Sequence, residues 1–225
     1  MYQPVEFQTD DPAFAEDLIG RHPFGVLVGI SDGAFGAAHL PFQLVGEGAD
    51  RVLEGHGAIR NALLTGIPDG AEVLVVFSGP HSYITPGAYR AEPDVPTWNY
   101  TAVHVRGRYR RLPAADNPAV LERTVRHNEA GAMGSGWATS TMSREDLASL
   151  ARGVVSFRIE IDEISAARKL SQDKLQADVD AVEAHLDACP FGDARAVADD
   201  MRAAEVRGRS GDPSTDPSTW LGPLD

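Results

Sequence analysis

The sequence predicts a mainly β fold, a barrel or sandwich of short strands with helices at its periphery. Its strand-like segments are short, apolar and β-branched, and Gly, Pro and Asp turns separate them. The predicted strands span residues 25–30, 35–45, 51–57, 72–77, 102–109 and 154–161. In the last segment Val155, Phe157, Ile159 and Ile161 fall on one face, which is the period of a half-buried strand.

Helices are predicted between these strands, where start and stop residues bracket an apolar period. They span residues 11–20, 118–130, 143–152 and 175–188. The first opens on Asp11 and Pro12 and closes on Gly20, and Ser143 is the predicted cap of the third.

Composition predicts one soluble domain. The chain has 225 residues, 43% of them hydrophobic and 24% charged, which is enough to bury a sizeable core. We expect a folded body over residues 1–206 and a flexible acidic tail, rich in Pro and Ser, over 207–225. No apolar run is long enough to span a membrane, and the N-terminus does not have the pattern of a signal peptide. The single cysteine, Cys189, favours a cytoplasmic location.

Charge argues against nucleic-acid binding. The formal net charge is −13, whereas duplex binders carry a basic face that displaces counterions. A local arginine cluster (Arg106, Arg108, Arg110 and Arg111) is interpreted as a solvated strand face or a dimer rim, with anion binding as the alternative. No nucleic-acid partner is expected.

Residues 78–101 are predicted to form a long irregular connection, because Pro and Gly interrupt the alternation there. Loops of that length in a compact domain are usually functional. This one contains Thr97, Trp98 and Asn99, a combination that suits the edge of a planar cofactor, with a core-anchoring role as the alternative.

His56 is the histidine with the strongest chemical argument. Gly55 and Gly57 flank it, and glycines let another group approach the backbone closely. Imidazole is a standard axial ligand of heme iron, although a lone histidine is more often structural. Both interpretations stay open on these grounds.

The chain resembles the PaiB family of FMN-binding negative transcriptional regulators. The resemblance rests on the blocks HPFG (22–25), HLPF (39–42), GH (55–56), GPHSYITP (79–86), PTWNY (96–100), VH (103–104) and KLSQ (169–172), which occur in this order. It implies an FMN-binding type of split β-barrel that forms a homodimer, with cofactor sites at the subunit interface.

The same family includes the heme-dependent piperazate synthases, which form an N–N bond in an N-hydroxylated amino acid. This resemblance implies heme b as cofactor, His56 as the iron ligand and a small-molecule substrate. Lys169 and Tyr83 are then the candidate catalytic residues. The remaining candidate cofactor contacts are Arg60, Asn61, Thr97, Trp98, Asn99, Ser171 and Gln172.

Two alternatives stay beside the heme enzyme. In an FMN-binding redox protein, Thr97, Trp98 and Asn99 would line the isoalloxazine ring, and Arg60 or Lys169 would lie near the phosphate. A regulator without catalysis is the third interpretation, and the net charge of −13 counts against direct DNA contact by such a protein.

Overall fold

The computed structural model describes residues 4–90, 95–130, 135 and 137–209. Within them the strands are β1 (Gln8–Thr9), β2 (Phe24–Ser31), β3 (Ala34–Val45), β4 (Val52–Ala58), β5 (Glu72–Ile84), β6 (Thr97–Arg111) and β7 (Val154–Lys169). The helices are α1 (Pro12–Arg21), α2 (Ala62–Gly66), α3 (Asn117–Ala130), α4 (Arg144–Ala151), α5 (Gln176–Ala188) and α6 (Ala194–Ala203). No described helix has the length and apolar character that crossing a membrane requires.

The predicted strands and helices are confirmed, and the predicted caps explain two helix starts. Asp11 accepts a hydrogen bond from the Ala13 N–H at the start of α1, and Ser143 accepts one from the Asp146 N–H at the start of α4. These side chains satisfy backbone donors that the first helical turn leaves free.

The predicted irregular connection over 78–101 is wrong over half of its length. β5 continues to Ile84 and β6 already begins at Thr97. Pro80 suggested a break, but β2 pairs with β5 only at residues 74–76. Pro80 lies beyond these residues, so its missing N–H takes no hydrogen bond from the pairing of β2 with β5. The connection is therefore residues 85–96, of which 91–94 lie outside the described residues.

Helices α2 and α6 are additional to the prediction. The five-residue α2 is too short to show a helical period in the sequence. In α6 the buried residues are Ala194, Val197, Ala198 and Met201, which is a regular helical stripe. The spacing of these residues in the sequence would have been enough to predict helix α6.

Contacts divide the chain into two compact units. The first, which we call the barrel unit, comprises Asp10–Phe77 and Val103–Ala166. Strands follow one another in the antiparallel order β7-β4-β3-β2-β5-β6, and β6 pairs back onto β7, so the sheet closes. The predicted barrel is confirmed.

Aromatic rings fill the interior of the barrel unit. Phe42 meets Phe77 and Phe157 edge to face, with ring centroids 5.6 and 6.0 Å apart. The ring of Tyr109 lies 5.0 Å from that of Phe157, and its hydroxyl donates to the Leu64 carbonyl. Rings of this size bury large apolar areas. The barrel interior is therefore a packed core.

The second unit, which we call the terminal unit, comprises the described residues of Met1–Thr9, Ser78–Ala102 and Ala167–Asp225. Helices α5 and α6 pack on each other around their own apolar core. Its last described residues are hydrogen-bonded, since Arg209 donates its N–H to the Lys174 carbonyl and Gly208 donates to Oε1 of Gln176. Residues 210–225, most of the predicted tail, lie outside the described residues, and the boundary at 206 stays a prediction.

Gly107 provides a test of the barrel closure between β6 and β7. A Cβ at this position would lie 2.1 Å from the Glu160 carbonyl oxygen. We expect Gly107→Ala to lower the free energy of unfolding by about 2–3 kcal/mol, because backbone must shift to admit the methyl group. The measurement is urea unfolding followed by circular dichroism.

Gly20 is the matched control, since a Cβ there meets nothing within 4 Å. Gly20→Ala is expected to raise the stability by up to about 1 kcal/mol, as alanine favours helix. Equal stability of the Gly107→Ala variant and the parent would contradict the close approach at the closure.

Candidate functional site

His56 lies on β4 and directly faces Ser156 of β7. Its ring is half-buried, and neither its buried Nδ1 nor the buried Oγ of Ser156 has a hydrogen-bond partner among the described residues. Burial lowers the pKa of His56 below its ordinary 6.5, and the charge of Glu54 acts in the opposite direction. The ring is therefore mostly neutral at neutral pH, the form in which imidazole ligates metals.

The two glycines beside His56 serve the barrel core. A Cβ at Gly55 would lie 2.8 Å from the Phe157 ring, and a Cβ at Gly57 would lie 2.5 Å from Leu64. Alternation along β4 turns these positions into the barrel and His56 away from it. The structure thus gives both glycines a packing reason, which differs from the cofactor approach that the sequence suggested.

Glu54 shares the outer face of β4 with His56, and its side chain is fully buried. Arg123 of α3 donates two hydrogen bonds to its carboxylate at 2.8 and 2.9 Å, and Gln43 of β3 donates a third at 2.9 Å. Arg158 of β7 lies 3.6 Å away. Burial acts to raise the pKa of Glu54, but these hydrogen bonds and charges outweigh it and hold the pKa below 4.5. Glu54 is thus an anion beside the predicted ligand.

Arg60 and Asn61 follow β4 at the start of α2. Asn61 is the helix cap, since its Oδ1 accepts from the Leu63 N–H at 3.1 Å. Arg60 is exposed. In the structure the Asn61 side chain therefore caps helix α2; it was predicted as a cofactor contact.

Lys169 and Thr97 meet in the terminal unit. The Lys169 ammonium donates to the Thr97 hydroxyl and lies 5.4 Å from the centroid of the Phe7 ring. Its side chain is half-buried, and no carboxylate among the described residues forms an ion pair with it. Burial lowers the pKa of Lys169, Asp173 opposes the shift and Lys174 adds to it. This is a partly desolvated cation whose bound neighbours are neutral.

Asn99, Ser171 and Gln172 are bonded within the terminal unit. The fully buried Asn99 amide donates to Oγ of Ser171 at 2.9 Å, and that hydroxyl lies 3.2 Å from Oδ1 of Asn99. The Gln172 side chain accepts from the Leu170 N–H and donates to the carbonyls of Glu6 and Arg168. These contacts hold the segment that follows β7, with Ser171 at a positive φ of 68°.

Trp98 points to the opposite face of β6 from Thr97 and Asn99, because successive side chains of a strand alternate. There it meets His81 and Tyr83 of β5, with ring centroids 6.1 Å away in both cases. These rings line a groove of about 550 Å³, which we call the aromatic groove. Its other lining residues are Ser82, Thr85, His185, Cys189, Phe191, Gly192 and Asp193.

Three arginines of the cluster on β6 pair with carboxylates, and the fourth, Arg111, donates its guanidinium to the backbone carbonyls of Leu64 and Thr65. Ion pairs join Arg106 to Glu163, Arg108 to Asp162, and Arg110 to both Glu160 and Asp69. Exposed pairs of this kind add little stability, but they neutralise the face. The predicted solvated strand face fits these contacts better than an anion site does.

Sequence reasoning missed Glu54, Ser156 and Asp193. A glutamate between Leu53 and Gly55 inside a strand was a signal, because an isolated charge there must find a partner. The sequence offered no comparable signal for Ser156 or Asp193.

Comparison with known proteins supplies a family match. The model of the family described as "Putative FMN-binding domain" matches residues 1–163. The "Protease synthase and sporulation protein PAI 2" of Bacillus subtilis is 32% identical over 182 residues, which cover 79% of this chain and 85% of that protein. An uncharacterized protein of Aspergillus fumigatus is 31% identical over 147 residues, 56% of each chain.

Two solved structures share the fold. The FAD and heme binding protein from Mycobacterium smegmatis superposes with a TM-score of 0.57 at 17% identity, over 77% of this chain and 79% of that one. The flavocytochrome Anf3 from Azotobacter vinelandii gives a TM-score of 0.56 at 12% identity, over 75% and 72%. At these identities the likeness concerns the fold.

The environment of His56 predicts its titration. We expect a pKa below 6.5 for His56, because burial disfavours the imidazolium. Glu54→Gln should lower that pKa further, since it removes the negative charge that favours protonation. The measurement is an NMR titration of the histidine ring signals. A His56 pKa above 6.5, or one that rises in Glu54→Gln, would contradict this description.

Proposed function

We propose that this chain, which belongs to the PaiB family of FMN-binding split-barrel proteins, binds FMN and works as a redox protein through it. Bound FMN supplies hydride and single-electron transfer, and the protein supplies binding and orientation. The family described as a putative FMN-binding domain matches residues 1–163, most of the chain, and this match supports FMN as the cofactor. The Mycobacterium smegmatis protein, which shares the fold, is named for binding FAD and heme.

The observation that carries the proposal is the environment of Lys169. Placing an ammonium in a half-buried site costs free energy unless an anion or several hydrogen bonds compensate it. Among the described residues Lys169 is bound only by the Thr97 hydroxyl and the face of Phe7. A bound anion would supply the missing compensation. The phosphate of FMN is such an anion.

Thr97 gives the site its second contact. Its Oγ1 accepts from Lys169, so its own hydroxyl hydrogen stays free to donate to a phosphate oxygen. A charge-assisted bond from Lys169 and a neutral one from Thr97 would then hold one phosphate. Asn99 and Ser171 hold the strand behind them, because their polar groups already bond to each other.

The proposal predicts a specific loss of FMN affinity in Lys169→Met. We expect FMN binding to weaken at least about tenfold, because a charge-assisted hydrogen bond is lost, while Lys169→Arg retains most of the affinity. The measurement is equilibrium titration, followed by quenching of flavin fluorescence.

Arg106→Met is the matched control, since it removes one positive charge from an exposed ion pair in the barrel unit. It should leave FMN affinity within about twofold, as exposed pairs contribute little. Equal FMN affinity of the Lys169→Met variant and the parent would exclude Lys169 as a contact of the FMN phosphate.

Heme is a second candidate, and His56 favours it. Its imidazole is held mostly neutral by burial, and its Nδ1 has no hydrogen-bond partner among the described residues. In the described part of the chain no three His, Cys, Asp or Glu side chains are arranged around a metal ion. His56 would hold the iron of a heme through this imidazole, and the heme would supply Lewis-acid and redox chemistry. Piperazate-synthase chemistry stays a prediction that depends on this ligand.

The heme candidate predicts that His56→Ala reduces heme content after reconstitution with hemin. One strong metal bond is lost while the barrel core is unchanged. His104→Ala on β6 is the control, since it also removes a partly buried imidazole. Absorbance in the Soret region, normalised to folded protein, measures both. Full heme content in His56→Ala would exclude this histidine as the ligand.

The predicted homodimer is a further part of the proposal. The family resemblance implies cofactor sites at a subunit interface, so the assembly bears on both candidates. Light scattering on the purified protein, with and without cofactor, measures it directly.

A further inference from the structure

The aromatic groove of the terminal unit leaves three large rings in contact with solvent. Tyr83 is 50% exposed, Trp98 52% and Phe191 78%. Tyr83 and Trp98 meet at an interplanar angle of 70°, so their rings form two walls of a corner. Single exposed aromatics are common, but several around one groove mark a binding surface.

The lining residues of the groove include one carboxylate and no permanent cation. Asp193 is the acidic residue among its lining residues, and no lysine or arginine is among them. Asp193 stands at the N-cap position of α6 and makes no capping hydrogen bond, so its carboxylate stays available to the groove. The basic groups that face it are His81, whose Nδ1 lies 3.7 Å from the carboxylate, and His185 of α5.

Aromatic walls and a carboxylate together select cations. The faces of aromatic rings carry negative potential, and sites that recognise alkylated ammonium groups are built from such rings. An anionic ligand such as a phosphate would meet repulsion from Asp193 instead. The groove therefore differs in sign from the site at Lys169 and Thr97, which lies on the other face of β6.

We propose that the aromatic groove binds an organic ammonium ion, an alkylated amine held against Trp98 and Tyr83 with Asp193 as its counterion. Phe191, in the connection between α5 and α6, also lines the groove. The inference uses neither Lys169 nor Thr97, the residues assigned to the FMN phosphate. It assigns Trp98 to the groove, whereas the FMN interpretation of the sequence set this residue against the isoalloxazine ring.

Choline and its neutral carbon isostere dimethylbutanol are the probes. They match in shape and differ in charge, so their comparison separates cation recognition from apolar contact. The Trp98 indole N–H signal, followed by NMR, is expected to shift with choline and much less with dimethylbutanol. The Trp137 indole, which lies outside the groove, is the internal control.

Two variants test the named contacts. Asp193→Asn, followed through the Trp98 signal, and Trp98→Leu, followed by titration calorimetry, should each weaken choline binding by about threefold to fivefold. Asp180→Asn on α5 removes an exposed carboxylate that Gln176 contacts and should leave binding unchanged. Equal binding of the two probes would overturn the proposal. So would a Trp98 signal that shifts with protein concentration alone, which would make a second copy of the chain the occupant.

Discussion

A buried carboxylate needs positive charge and hydrogen bonds to compensate its lost hydration. In the barrel unit Glu54 is such a carboxylate. Its side chain is fully buried, and Arg123, Gln43 and Arg158 reach it from α3, β3 and β7. Loss of one partner would leave an uncompensated buried charge, which is costly. The carboxylate therefore ties helix α3 to three strands, and it does so two residues from His56.

The position of His56 follows from this arrangement. Because Glu54 faces α3, alternation along β4 sends His56 to the same outer face and sends its flanking glycines into the core. Ser156 stands opposite and is buried with it. The same carboxylate also raises the negative potential around the imidazole and moderates the effect of burial on its pKa. Structure and electrostatics at His56 thus have a common origin.

Much of this fold could be predicted from the sequence, and the failures have physical causes. The alternation of apolar residues in strands and the helix caps Asp11 and Ser143 are local signals, so a single sequence is enough to predict them. Residues 97–99 looked like one cofactor-binding turn, but they begin a strand, and alternation separates Trp98 from its two neighbours. Glu54 and Arg123 are 69 positions apart, and their pairing depends on how α3 packs. Single-sequence periodicity carries no information about such distant contacts.

The absorption spectrum of the purified, full-length protein shows whether FMN is its cofactor. An FMN-binding redox protein should show the paired flavin bands and should release FMN on denaturation in an amount close to one per chain. A protein that carries a Soret band without flavin, and that does not take up added FMN, would contradict the FMN proposal.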